Sequence, residues 1–210
     1  MYDSLTPATT REMLEAVSQH VIDNVDMLTT ADQAIGDGDH GIGMRRGFAA
    51  VLEQLQAQPP ETVEAVFKVA GTAIMSKTGG AAGAVFGTLF RSGSAALAGR
   101  NSLDAEGMVA FLLTGLEAVE KRGGSRPGMK TMLDALDPAA TAAAKANPGG
   151  LAATISAAAA AAAAGVEATK SMIATTGKAR TLGERSLGHP DPGAVSLSLI
   201  LQAMRDYIVW

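Results

Sequence analysis

Three carboxylates fall within eight residues in the segment Asp32-Gln33-Ala34-Ile35-Gly36-Asp37-Gly38-Asp39-His40-Gly41-Ile42-Gly43-Met44. Carboxylate oxygens are the hard ligands that magnesium prefers, and phosphate oxygens commonly complete its shell. Asp37 and Asp39 converge on one cation only if the backbone bends sharply, and the interleaved glycines 36, 38, 41 and 43 permit that bend. The pattern suits a metal-bound polyphosphate, although an acidic surface turn has the same composition. A calcium-binding EF-hand loop does not fit, because no Glu stands at the twelfth position from Asp37 or Asp39.

Two further segments carry the same kind of signal. In Gly79-Gly80-Ala81-Ala82-Gly83-Ala84-Val85-Phe86-Gly87-Thr88, small residues let backbone N–H groups face a ligand, or let two helices approach closely. The stretch from Gly177 to Ala194 breaks helical periodicity, carries Lys178, Arg180 and Arg185, and ends in the turn Asp191-Pro192-Gly193. A loop of that length in a helical chain is either a working part of a site or an ordered connector.

In order along the chain, Ile35-Gly36-Asp37-Gly38-Asp39-His40-Gly41, Gly79-Gly80-Ala81-x-Gly83-x-x-Phe86-Gly87-Thr88, Lys130-Thr131-Met132-x-Asp134 and Leu182-Gly183-Glu184-Arg185-Ser186-x-Gly188-His189-x-Asp191-Pro192-Gly193-Ala194 resemble the L subunit of dihydroxyacetone kinases. They equally resemble the C-terminal nucleotide-binding domain of the single-chain, ATP-dependent kinases. The likeness spans nearly the whole chain. It implies an all-α fold, an antiparallel up-and-down barrel or bundle of about eight helices, with ADP or ATP held at one end by interhelical loops.

The resemblance also implies roles. Asp32, Asp37 and Asp39 would ligate one or two magnesium ions that bridge the nucleotide phosphates, Asp32 reaching them only if the Ile35-Gly36 turn folds back. His40 joins these three as a catalytic candidate, or serves as a capping or packing histidine. His40, Gly41, Ile42 and Gly43 would open a helix against the phosphates, with Ala81 and Ala82 as main-chain contacts. Gly123, Thr131 and Met132 would lie near the nucleoside, Met132 as an apolar wall for the base or as a core residue. Lys178 and Asp191, Pro192 and Gly193 complete the nucleotide set, while Arg185 and His189 either assist transfer or order the loop.

Three departures from the family pattern stand out. Ala82 replaces a frequent Ser, Met129 replaces an acidic residue before Lys130, and Lys178 replaces an Arg, losing bidentate pairing.

The partners follow from the same likeness. No residues remain for a sugar-binding domain, so the expectation is a separate K subunit that presents dihydroxyacetone. In the phosphotransferase branch a phosphohistidine on an M subunit recharges retained ADP. The alternatives are an L subunit that exchanges ATP freely and serves a related ketose or polyol, or a nucleotide-binding regulatory or adaptor subunit, since L subunits also contact transcription regulators. A fatty-acid kinase-type domain shares the acidic motif but has companion regions that are missing here.

Composition agrees with one cytoplasmic domain over residues 1–210. A formal charge of −4 offers no basic surface for nucleic acid, and the absence of cysteine excludes disulfides and thiol chemistry. Nothing near Met1 reads as a signal peptide, and the apolar run Ala157–Ala164 is too short to span a bilayer. Apolar stripes at helical spacing predict seven or eight helices. They include Leu14, Val17, Val21 and Val25 behind a capping box at Thr9 and Glu12. Others are Val63, Val66, Phe67, Ala70 and Ile74; Phe111, Leu112, Gly115, Leu116 and Val119 behind a Ser102 cap; and Leu199, Leu201, Met204 and Ile208. Breaks are expected at Gln58-Pro59-Pro60, Asn101-Ser102, Gly123–Gly128 and Asn147–Gly150.

Overall fold

Local capping chemistry sets where the helices begin. The computed structural model describes residues 1–210 and contains nine α-helices and no β-strand. They are α1 (Pro7–Asp23), α2 (Val25–Ile35), α3 (His40–Ala57), α4 (Val63–Lys77), α5 (Gly80–Ser94), α6 (Ala105–Gly123), α7 (Leu133–Ala146), α8 (Gly150–Thr169) and α9 (Pro192–Val209). Thr6 caps α1 by accepting from Thr9 N at 3.2 Å, with Pro7 in the first turn where its missing N–H is not needed. The cap is therefore three residues earlier than the Thr9 box suggested. Asp104 rather than Ser102 caps α6, accepting from Gly107 N at 2.8 Å. The expected breaks at Gln58–Pro60, Asn101–Ser102, Gly123–Gly128 and Asn147–Gly150 all separate helices.

The ninth helix comes from a break that the apolar stripe concealed. Asn24 turns its side chain back to His20 O at 2.8 Å and ends α1, so Val25 starts a new helix instead of continuing the stripe. The other eight helices form a closed ring: α1 packs on α3, each helix from α3 to α9 packs on the next, and α9 returns to α1. The short α2 is added beside α3 and α9. The N-terminal arm seals the far end, with Leu5 and Leu103 exchanging two main-chain hydrogen bonds of 2.8 Å.

The ring closes over apolar side chains. All five phenylalanines are buried, and Phe48, Phe67, Phe90 and Phe111 form one aromatic group with ring centroids 4.5–6.5 Å apart. Within Leu133–Thr169 an 18-residue window reaches a mean hydropathy of 1.5, apolar and long enough for a membrane span and more than the short alanine run implied. The chain reverses within it, however, at a 3₁₀ turn over Asn147–Gly149, and α7 and α8 lie against each other. Leu151, Ile155, Ala158, Ala159 and Ala162 of α8 are buried inside the ring.

That pairing depends on closeness. A methyl group on Gly165 of α8 would stand 2.3 Å from Asp134 O and 2.8 Å from Ala135 Cα, both backbone atoms of α7. Gly165→Ala must therefore push the two helices apart, and it should destabilise the fold by roughly 1–3 kcal/mol, read as a lower urea midpoint at unchanged m-value.

Candidate functional site

An up-and-down ring starts every second helix at the same end. Here the first residues of α3, α5 and α9 (His40, Gly80 and Pro192) and of α7 (Leu133) line one cleft of about 390 Å³. The ends of α2, α4 and α6 reach it through Asp32, Thr78 and Gly123. Helix N-termini present unpaired N–H groups and the positive end of the dipole, so the cleft suits an anion with several oxygens.

The acidic cluster lines the same cleft, beside the start of α3. Asp32, in the last turn of α2, is buried, whereas Asp37 and Asp39 are exposed, and one carboxylate oxygen from each lies within 4.8 Å of the others. The turn that achieves this needs glycine at position 36, where a Cβ would sit 2.1 Å from Asp32 Oδ1. Asp32 Oδ2 also accepts the His40 N–H at 3.2 Å, tying the carboxylate to the start of α3. Asp39 occupies the N-cap position of α3 but makes no side-chain cap, which leaves its carboxylate free for the cluster. A donor set of carboxylate oxygens alone fits a hard divalent cation such as magnesium.

Lys178 reaches this cluster from 141 residues away, its ammonium donating to Asp37 and, at 3.4 Å, to Asp39. The hydrogen bond from Lys178 holds the Asp37 carboxyl below its ordinary range, and Asp37 in turn raises the Lys178 ammonium. The segment that carries it is a pair of 3₁₀ turns over Lys178–Ser186, kinked at Gly183, rather than an irregular loop.

Residues 34–206 match the DAK2 domain family. The chain is 41% identical over 191 residues to the ADP-binding subunit DhaL of PEP-dependent dihydroxyacetone kinase 1 from Listeria innocua, covering 91% of each protein. It is 36% identical to the ADP-binding subunit DhaL of the Escherichia coli PEP-dependent kinase, covering 85% of this chain and 86% of that one. The chain belongs to the DhaL family. Its fold matches the dihydroxyacetone kinase of C. freundii, solved in complex with AMP-PNP and Mg2+, with a TM-score of 0.75 and 28% identity. The match covers 95% of this chain and spans about a third (34%) of the C. freundii chain.

Most of the residues singled out from the sequence of this DhaL-family chain meet at the cleft. Asp32, Asp37, Asp39, His40, Gly43, Ala81, Ala82, Gly123, Thr131, Met132, Lys178, Asp191, Pro192 and Gly193 all line it. Gly41 and Ile42 do not. Gly41 is packed against α2, where a Cβ would meet Thr29 Oγ1 at 2.2 Å, and the Ile42 side chain is 45% exposed. Arg185 and His189 are exposed and also lie off the cleft wall.

His40 is held to α9. Its Nε2 lies 2.7 Å from Ser196 Oγ, and burial lowers its basicity against the pull of Asp32 and Asp39. Met132 is both cleft wall and core residue, being 4% exposed within the main apolar cluster.

Several contributors escaped the sequence reading. Arg46 lines the cleft and donates to Thr78 O at 3.1 Å. Its spacing from His40 and Gly43 along one face of α3 was the available signal. Ser196 lies one turn after Pro192 on the same helix. Asp134, present in the quoted motif but given no role there, accepts the N–H groups of Gly128 and Thr131, so it shapes the loop that brings Thr131 to the cleft.

Asp191 caps α9 through Ala194 N at 2.8 Å, yet burial, reinforced by the charge of Asp134, pushes its carboxyl up to about 7. The folded chain thus holds a proton there at pH values where the unfolded chain, with an ordinary carboxyl near 3.8, has lost it. The stability this group contributes is complete at low pH and falls as pH rises from about 4 to about 7. Asn caps helices as well as Asp and carries no charge. In urea unfolding at pH 5 and pH 8, Asp191→Asn should lose less stability between the two than the wild type. Equal losses would show that Asp191 titrates as an ordinary carboxyl.

Proposed function

We propose that this chain is the nucleotide-binding, phosphoryl-transferring subunit of a dihydroxyacetone kinase, and that its residues form a single nucleotide-binding domain. One observation carries the reading: three carboxylates gathered at the mouth of a cleft into which four helix N-termini point. Phosphoryl transfer asks for positioning and charge neutralisation more than for covalent chemistry, and those are the two things this arrangement offers.

Asp32, Asp37 and Asp39 would hold magnesium, one or two ions, which supplies charge neutralisation to the nucleotide phosphates when bound. The rest falls to groups of the chain itself. The first-turn amides of α5, at Ala81 and Ala82, donate to phosphate oxygens, and Lys178 provides a cation at the same mouth. Met132 and Gly123 flank the nucleoside. His40 is fixed by Ser196 and orders the start of α3 under the phosphates. With alanine at position 82 the family's frequent hydroxyl is missing, and main-chain donors carry that contact.

The cleft contains no lysine or histidine free to trap a ketone: Lys130, Lys178 and His40 all have their partners within the chain. This supports a separate dihydroxyacetone-binding K subunit that docks over the mouth. Relatives named as ADP-binding subunits of PEP-dependent kinases support retained ADP that a phosphohistidine M subunit recharges; the location that goes with this reading is the cytoplasm.

The purified chain should bind ADP tightly in the presence of magnesium and release it to EDTA. Asp37→Asn and Asp39→Asn should keep the fold, because both side chains are exposed, and should retain no nucleotide by mass spectrometry. Unchanged nucleotide content in both variants removes the metal assignment. Alone, the chain should not turn over dihydroxyacetone with ATP, and a matching K subunit should raise the rate by orders of magnitude. Brisk turnover by the single chain rejects the divided arrangement.

A further inference from the structure

Lys130 has the one non-glycine backbone in the left-handed region, at φ 61°, and the residue is 2% exposed. A lysine held in that conformation and taken out of water needs a compensating set of contacts. It has one. Nζ donates to Thr169 O at 2.6 Å, Met172 O at 3.2 Å and His189 O at 2.6 Å, which uses all three of its protons. Burial lowers its basicity, while Asp191 and Asp134 act in the opposite direction.

The three acceptors are informative. Thr169 and Met172 stand where the chain leaves α8, and His189 stands where it returns to α9. Between them runs the segment that carries Lys178 to Asp37 and Asp39. Lys130 therefore draws the two ends of one loop together while its own neighbours, Thr131 and Met132, line the cleft. The same base holds Asp191 N on Thr169 Oγ1 at 3.0 Å and Gly188 N on Lys170 O at 2.8 Å. With no donor left over, the ammonium cannot itself contact a phosphate.

We propose that Lys130 is a positioning residue for nucleotide binding: its ammonium clasps the base of the 170–191 loop and so sets Lys178 at the phosphate end of the cleft. The proposal rests on the nucleotide-binding reading above. It makes two sides of the cleft one mechanical unit, since the residue that anchors the phosphate-side loop is adjacent in sequence to the nucleoside wall.

The cysteine-free chain allows a direct test. Lys130→Cys is prepared and alkylated in denaturant with 2-bromoethylamine, which restores an ammonium on a side chain of lysine length, or with 1-bromopropane, which restores the length without the charge. After refolding, ADP–magnesium affinity and amide hydrogen exchange are measured. The propyl form should bind ADP about tenfold more weakly or worse, the loss that corresponds to roughly one charge-assisted hydrogen bond. Its faster exchange should be confined to residues 124–132 and 170–191, with α4 and α5 unchanged. The aminoethyl form should recover both. Combined with Lys178→Ala, the propyl form should cost much less than it does alone, because both changes remove the same contact.

Slow exchange of 170–191 in the propyl form, or full additivity with Lys178→Ala, overturns the proposal. If the propyl form does not refold, Lys130→Gln, which keeps amide donors, is judged by the same exchange and additivity criteria. A wild-type chain that fails to bind ADP–magnesium refutes the nucleotide reading, whereas the exchange pattern still decides the clasp.

Discussion

The parity of an up-and-down helical ring is the constraint on which the rest of this molecule depends. Neighbouring helices run in opposite directions, so α3, α5, α7 and α9 begin at the same end. Each leaves its first N–H groups without intrahelical partners and points the positive end of its dipole the same way. An end surface of that kind attracts anions before any side chain is considered. The interhelical turns at this end are also where the glycine-rich and charged segments of the sequence fall, so chemistry and scaffold polarity coincide.

Against that positive field the chain places three carboxylates in mutual reach. Their repulsion is moderated by ordinary means. Asp32 accepts a main-chain N–H from the start of α3, and Lys178 bridges the two exposed members. The result is a mouth where acidic ligands for a cation and cationic or amide partners for phosphate are interleaved within a few ångströms. A metal–nucleotide complex has the same alternation of charge, which is why the site suits the complex better than either component alone.

Rigidity is distributed unevenly. The wall built by α4, α5 and α6 is close-packed and aromatic, and α7 and α8 approach to backbone contact at Gly165. The segment between α8 and α9 has little core of its own, with Ser186 and Ala174 its buried residues, and Ala174 N donates to Ser186 Oγ at 3.0 Å. It depends instead on polar ties at its base, of which Lys130 makes three. Few apolar contacts and a polar anchor are the physical conditions for a segment that opens locally while the ring stays folded.

The all-helical class, most helix boundaries and the acidic cluster were legible in residue order because they depend on short-range physics. Apolar residues at helical spacing, Pro and Gly at the breaks, and carboxylates a few residues apart carry their meaning locally. Boundaries that turn on one side chain were less legible. Asn24 competes for a backbone carbonyl and splits a continuous stripe, and Thr6 and Asp104 take caps that Thr9 and Ser102 resembled. Relations between distant segments had no local signature at all. Nothing near Lys178 announces Asp37, nothing near His40 announces Ser196, and the three carbonyls that receive Lys130 lie 39, 42 and 59 residues away. Main-chain acceptors are the same at every residue, so only the folded path of the chain selects which of them a buried ammonium will meet.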